Sequence, residues 1–211
     1  MMKFNIISSG STGNATVLND EILIDCGVSY KSLVGVMRGL KIALLTHIHG
    51  DHFNRTTISR LAKERPTLRF GCCEWLVRDL LDCGVDEKNI DVYQIGKWYD
   101  YTAFQVATVR LYHDVPNCGY RVQIQGRKAI YMTDTVSVEG IQAKDYDLYL
   151  VEANYIDEEI QEKIKEKEQL GEYSYERRVL QTHLSKEQCD EFLMENMNDK
   201  SEYVYMHQHK D

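Results

Sequence analysis

Ile42-Ala43-Leu44-Leu45-Thr46-His47-Ile48-His49-Gly50-Asp51-His52 decides the reading of this chain. The apolar run Ile42–Leu45 has the length and composition of a short buried strand. Four metal-competent side chains then fall within six residues, from His47 to His52. Imidazole suits zinc and other late divalent metals, while carboxylate suits harder ones. His47 and His49 are two apart, so on an extended segment they face the same side and can share one ion. Gly50 lets the chain turn, and Asp51 with His52 can then serve a second ion beside the first. A solvated histidine-rich loop is the plainer reading, but such a loop has no reason to follow a fully apolar strand so abruptly.

Upstream, residues 3–7 read as a strand and lead into Ser8-Ser9-Gly10-Ser11-Thr12-Gly13-Asn14. These small, turn-forming residues allow close backbone approach to a ligand. Ala15–Leu18 and Glu21–Asp25 then form a hairpin around Asn19-Asp20. Ser29 is placed to cap a helix carrying Leu33, Val36, Met37 and Leu40, which Gly35 and Gly39 weaken. Downstream, Asn54 opens a helix that Pro66 ends. Cys73, Leu76, Val77, Leu80 and Cys83 recur at helical spacing ahead of a Gly84 cap, so these cysteines read as core.

Strand patterns cover Tyr101–Tyr112, Tyr120–Gln125 and Lys128–Thr133, with a turn at Gln125-Gly126. Asp157–Leu170 reads as an exposed amphipathic helix, Ser185 and Gln188 as a capping box, and Tyr203–Met206 as a closing strand.

The 211 residues suit one domain, 1–211, with room for a substantial core. Composition is ordinary for a soluble protein, at 43% hydrophobic and 27% charged. No run approaches the eighteen or so apolar residues of a membrane span, and the first residues resemble a strand rather than a signal peptide. Six scattered cysteines form no C-x-x-C pair, which with the missing export signal predicts reduced thiols and a cytoplasmic location. A net charge of −8 argues against broad electrostatic capture of nucleic acid. Divalent cations in a cleft would reverse that sign locally, so a phosphodiester substrate stays compatible.

One regularity ties the chain together. His113, Asp134, Glu152 and His207 each stand directly after a strand-like run, as His47 does. A polar residue beyond one strand is commonplace; five drawn from the metal-ligand alphabet are not. Of seven histidines, His47, His49, His52, His113, His183 and His207 all lie in or beside this constellation.

The H-x-H-x-D-H spacing after a hydrophobic strand resembles the signature of the metallo-β-lactamase-fold hydrolases. Glu152-Ala153-Asn154-Tyr155 and Thr182-His183-Leu184-Ser185 are similar to elements of the YycJ-type small exonucleases, whose active site is tRNase Z-like. The match runs from residue 5 to 209. The resemblance implies an α/β fold, a four-layer αββα sandwich, with two divalent metal ions. Zn²⁺ is favoured by the histidine-rich first site, and Mn²⁺ is compatible with the second. His47, His49 and His113 are then expected at the first ion, Asp51, His52 and His207 at the second, and Asp134 between them. The last element departs from the branch, which leaves His209 as an alternative to His207. Thr182 stands where the branch has glycine.

The same resemblance implies hydrolysis by a metal-bridging hydroxide that Asp51 orients. An alkoxide is a poor leaving group, and His183, held by Glu152, can protonate it. That pair points to phosphoester chemistry, against a structural ion pair as the plainer reading. The loop with Ser11 and Asn14 is similar to one beside the metals in small nucleases of the superfamily. These two residues, Asn154 and Arg178 are the expected substrate contacts, although arginines on an exposed helix usually mark only a solvated face. Twenty residues separate His113 from Asp134 and seventeen separate Asp134 from Glu152. That leaves no room for a long tRNase Z-type arm or an RNase J-type inserted domain. The expected function is therefore a nuclease or phosphodiesterase acting on nucleic acid or a small phosphodiester, with 5′-exonuclease character. The alternatives are a hydrolase of small esters, thioesters, lactams or lactones, and a non-catalytic metal-dependent nucleic-acid-binding module.

Overall fold

The structure is a computed structural model that describes residues 2–208. Strands β1 (Phe4–Ser8), β2 (Ala15–Leu18), β3 (Ile22–Ile24), β4 (Ile42–Leu44), β5 (Arg69–Cys73) and β6 (Ile90–Tyr93) lie side by side in chain order. The second sheet holds β7 (Trp98–Asp100), β8 (Phe104–Tyr112), β9 (Pro116–Ile124), β10 (Arg127–Met132), β11 (Leu148–Glu152) and β12 (Glu202–Met206), again in sequence order.

Each sheet begins antiparallel and ends parallel, the change falling at β3–β4 in the first and β10–β11 in the second. Parallel neighbours need crossovers; helices supply them except between β10 and β11, where a loop without a helix makes the connection. Helices α1 (Tyr30–Leu33), α2 (Arg55–Glu64) and α3 (Val77–Asp82) lie between the parallel strands of the first sheet. Helices α4 (Asp157–Leu170), α5 (Glu176–Thr182) and α6 (Lys186–Asn196) lie between β11 and β12.

Strand periodicity sorts side chains into layers. Ile42 and Leu44 join Tyr120, Val122, Tyr131 and Leu150 in the core between the sheets. Ala43 and Leu45 face the other way, into a core with Leu33, Ile58, Leu61 and Leu80. Ile130, Met132 and Val151 pack on Phe192 and Leu193 of α6. Helix, sheet, sheet, helix: this is the expected four-layer αββα sandwich.

Asn54 caps α2 by accepting from the Thr57 amide at 3.0 Å, and Ser185 with Gln188 forms the capping box of α6. Three expectations need correction. The helix after Ser29 stops at Leu33, and Ser29 Oγ meets Ser32 Oγ instead of capping it. Turns replace the rest, closed by the Val36 and Met37 amides onto the Leu33 carbonyl and the Gly39 amide onto that of Val36, and Gly39 packs where a Cβ would lie 2.7 Å from the Asp20 carbonyl oxygen. Cys73 ends β5 rather than opening a helix, since ladder pairing with Tyr93 outweighs the helical spacing of the apolar residues beyond it. The strand expected from Tyr101 starts at Phe104, after a hairpin with β7 that returns the Tyr101 amide to the Phe104 carbonyl.

All six cysteines are buried and unpaired. Burial pushes the Cys72 and Cys189 thiols up to about 12, so they are neutral core groups. No helix among the described residues is long and apolar enough to cross a membrane.

Candidate metal centre

β8, β10, β11 and β12 run in one direction, so their C-terminal ends share one edge of the second sheet. The chain leaving β4 meets that edge. Asp25, directly after β3, organises the meeting. Its Oδ1 accepts from the Thr46 amide at 3.0 Å and from Thr46 Oγ1 at 2.9 Å. Its Oδ2 accepts from His52 Nδ1 at 2.7 Å and from the Tyr131 hydroxyl at 3.1 Å. Asp25 adopts φ +60°, a left-handed conformation that aspartate tolerates better than most residues. Beside it, the Cys26 amide donates to the His52 carbonyl at 2.9 Å and the Asn14 amide to the Asp51 carbonyl at 2.6 Å. The His52 and Phe53 amides both close back onto the His49 carbonyl, which folds the motif into a tight turn.

The imidazole tautomers follow from these partners. Thr46 Oγ1 spends its proton on Asp25, so it accepts from His47 Nδ1 at 2.9 Å. His52 gives its Nδ1 proton to Asp25, and His113 gives its own to the Thr182 carbonyl at 2.8 Å. In the neutral form of each ring the lone pair is therefore on Nε2. His47 Nε2 is buried with no hydrogen-bond partner, an arrangement that costs free energy unless something electrophilic sits there. His49 presents Nδ1, 3.3 Å from His113 Nε2, and turns Nε2 toward Asp114 Oδ1, also at 3.3 Å.

Among the described residues, four groups bring their donor atoms within 4.8 Å of one another: His47-His49-His113, His47-His52-Asp134, Asp51-His52-His207 and Asp134-His183-His207. Asp134 is the common member of two of them. Its Oδ2 lies 2.8 Å from His52 Nε2 and 3.1 Å from His207 Nδ1, and its Oδ1 lies 3.8 Å from His113 Nε2. Asp134 and His207 both leave their strands with positive φ, +58° and +50°, which turns the two side chains inward. Orphaned nitrogen, matched tautomers and converging carboxylates fit a divalent metal centre.

Without metal, the cluster holds protons on some of its rings. Burial drives the His47 and His113 pKa values down. Burial pushes the same way at His52 and His207, but there Asp134, joined at His52 by Asp25, outweighs it and raises both. Those same imidazoles overcome the effect of burial on Asp134 and keep its carboxyl well below the usual range.

Glu152 and His183 meet beside this cluster. His183 Nδ1 lies 2.6 Å from Glu152 Oε1 and 3.6 Å from Asp134 Oδ1. Glu152 is fully buried, and its Oε2 accepts from the Thr135 amide at 2.9 Å. Burial alone would lower the His183 pKa, yet its bond to Glu152 raises it.

The expected substrate contacts are placed less uniformly. Ser11 is exposed on its loop. Asn14 is buried, exchanges bonds with the Gly10 backbone, and puts Nδ2 2.8 Å from His52 Nε2. Asn154 donates to the His207 carbonyl at 2.8 Å. Arg178 is exposed but paired, at 2.6 Å, with Asp114. His209 lies outside the described residues. Asp25 and Asp114 escape the sequence reading, although Asp25 obeys the same strand-end rule that singled out Asp134.

Residues 20–207 match the Beta-lactamase superfamily domain, which spans the whole of this centre. The chain belongs to that superfamily. As a superfamily member it shares its metallo-β-lactamase fold with solved structures of low identity. The metallo-beta-lactamase fold protein YhfI from Bacillus subtilis is 16% identical, with a TM-score of 0.76 over 99% of this chain and 87% of that one. The short form of human tRNase Z is 18% identical, with a TM-score of 0.73 over 100% and 93%. A diphosphatase from the PhnP family is 13% identical, with a TM-score of 0.66 over 99% and 87%. At these identities the likeness is one of fold. No curated protein matches the chain.

Proposed function

We propose that this superfamily member is a metal-dependent phosphodiesterase, acting on nucleic acid or a small phosphodiester with the 5′-exonuclease character of its YycJ-type resemblance. The observation that carries this reading is the buried Glu152–His183 pair, 2.6 Å apart and beside Asp134. A strained β-lactam or lactone, or a thioester whose thiolate leaves without a proton, has less need of a proton donor at this place. The tRNase Z and PhnP-family diphosphatase among its fold neighbours support phosphoester chemistry.

His47, His49 and His113 would hold one ion, Asp51, His52 and His207 the other, with Asp134 between. When bound, the ions supply Lewis acidity and lower the pKa of water toward neutrality. The protein's own groups do the rest. Asp51, partly exposed at the cleft side of the motif, orients the attacking water. Glu152 fixes the His183 ring through Nδ1 and favours its protonated form, leaving Nε2–H as the proton source for the departing alkoxide. Asn154 and Ser9 hold the His207 backbone from either side. Zinc is favoured by the three-histidine site and manganese is compatible with the carboxylate-rich one. Six unpaired thiols suit a reducing, cytoplasmic compartment.

The metal-loaded protein should hydrolyse bis-p-nitrophenyl phosphate and a DNA or RNA oligonucleotide in preference to a chromogenic β-lactam or an acyl-thioester. Turnover of the β-lactam or thioester alone would overturn the proposal. Nucleic-acid binding without turnover in Zn²⁺ and Mn²⁺ would make the chain a binding module.

A further inference from the structure

A cavity of about 280 Å³ lies between the segment after β11 and helices α4 and α5. It is near the lower end of the roughly 300–1,000 Å³ usual for small-molecule sites. Its walls are tied to the metal centre at two points. Asn154 lines it while donating to the His207 carbonyl, and Val179 lines it while its own carbonyl accepts from the His183 amide at 2.9 Å. Along the chain, the lining residues Ala153 and Gln208 also adjoin Glu152 and His207 of the centre.

The lining chooses among parts of a phosphodiester. Ile156, Ile160 and Val179 give apolar surface, and Tyr155 and Tyr175 give two aromatic rings. Burial pushes the Tyr155 phenol up to about 12, so it is a neutral ring that can still donate a hydrogen bond. Glu159 and Glu176 balance Lys163 and Lys186 in formal charge. Lys186 is committed to Asp190 at 2.6 Å, and Glu176 to Lys167. A phosphate would find no net positive field here. An uncharged, flat, partly polar group would find aromatic faces, apolar walls and the amides of Asn154 and Gln208.

We propose that this cavity is the subsite for one nucleoside of the substrate, whose adjoining phosphate rests at the metal centre. The proposal deepens the phosphodiesterase reading and rests on it. Because α4 and α5 wall the cavity, it has room for a single nucleoside and favours cleavage at a chain end or of a small nucleotide diester.

Calorimetric titration of the metal-loaded protein with adenosine 5′-monophosphate and, separately, with inorganic phosphate tests it. Phosphate reports the metal centre alone, and the ratio of the two affinities reports the cavity. The nucleotide should bind roughly ten- to a hundredfold tighter than phosphate, the value of about one stacked base. Ile160→Trp fills the cavity and should collapse that ratio to within about twofold. Tyr175→Ala, at a half-exposed position that tolerates truncation, should lower it severalfold and serves if the tryptophan variant fails to fold. Equal affinities in the wild type, or a ratio that neither variant changes, would overturn the subsite and leave the phosphodiesterase reading standing. Failure of both probes to bind would instead overturn that reading and the subsite with it.

Discussion

Asp25 Oδ2 accepts a hydrogen bond from His52 Nδ1 at 2.7 Å, and both side chains are fully buried. The carboxylate fixes the His52 tautomer and, through Thr46, that of His47, so one residue orients rings that face both proposed ions. Outer partners of this kind are typically worth about 10–100-fold in metal affinity. Asp25→Asn, which keeps the shape, should weaken binding by that amount in a chelator competition. Unchanged affinity would make the contact ornamental to the centre.

Metal uptake should release protons. In the metal-free chain Asp134 and Asp25 raise the His52 pKa, and Asp134 raises that of His207, against the effect of burial. A raised pKa means that each ring keeps its proton to higher pH, whereas an ion requires it neutral. Affinity should therefore rise with pH through the upper side of the ordinary histidine range. Calorimetry in buffers of different ionisation enthalpy should show proton release and a stoichiometry approaching two ions per chain. No proton release, or no uptake on reconstitution, would contradict the assigned ligands.

Gly27 should admit no side chain. A Cβ there would stand 1.7 Å from the Asp51 carbonyl oxygen and 2.7 Å from the His52 amide nitrogen. Both atoms are backbone, so the metal motif itself would have to move. Gly27→Ala should cost about 1–3 kcal/mol or more in a denaturant titration and lose metal at the Asp51–His52 side. Gly35→Ala, with nothing within 4 Å of its Cβ, should leave metal content unaltered and serves as the control. A tolerated Gly27→Ala would show that the loop has slack.

The strand-end cluster was legible in the sequence through strand periodicity, whereas the four-layer sandwich was legible only through the family resemblance. An apolar run points alternate residues to opposite faces, and its end is where the chain first meets solvent and can place a ligand. His47, His113, Asp134 and His207 announce themselves that way. Asp25 does too, but its partners His52 and Thr46 are twenty-seven and twenty-one residues away, and only folding shows that they meet. The pairing of Arg178 with Asp114 was illegible for the same reason. Local spacing also misled at Cys73, where a helical stripe continued backwards into a strand that tertiary pairing had already claimed.

The pairing of His183 with Glu152 gives the most direct test of the account. If His183 protonates a departing alkoxide, His183→Ala should lower kcat on DNA or RNA by roughly 10²–10⁴-fold. On bis-p-nitrophenyl phosphate, whose phenolate leaves without a proton, the loss should be far smaller. Glu152→Gln should follow the same pattern, and the double variant should lose little more than either single one, because the two groups act as a unit. Metal content should stay near the wild-type value throughout. Equal losses on both substrates would contradict the account: with metal lost, His183 is a ligand, and with metal retained, the pair is structural.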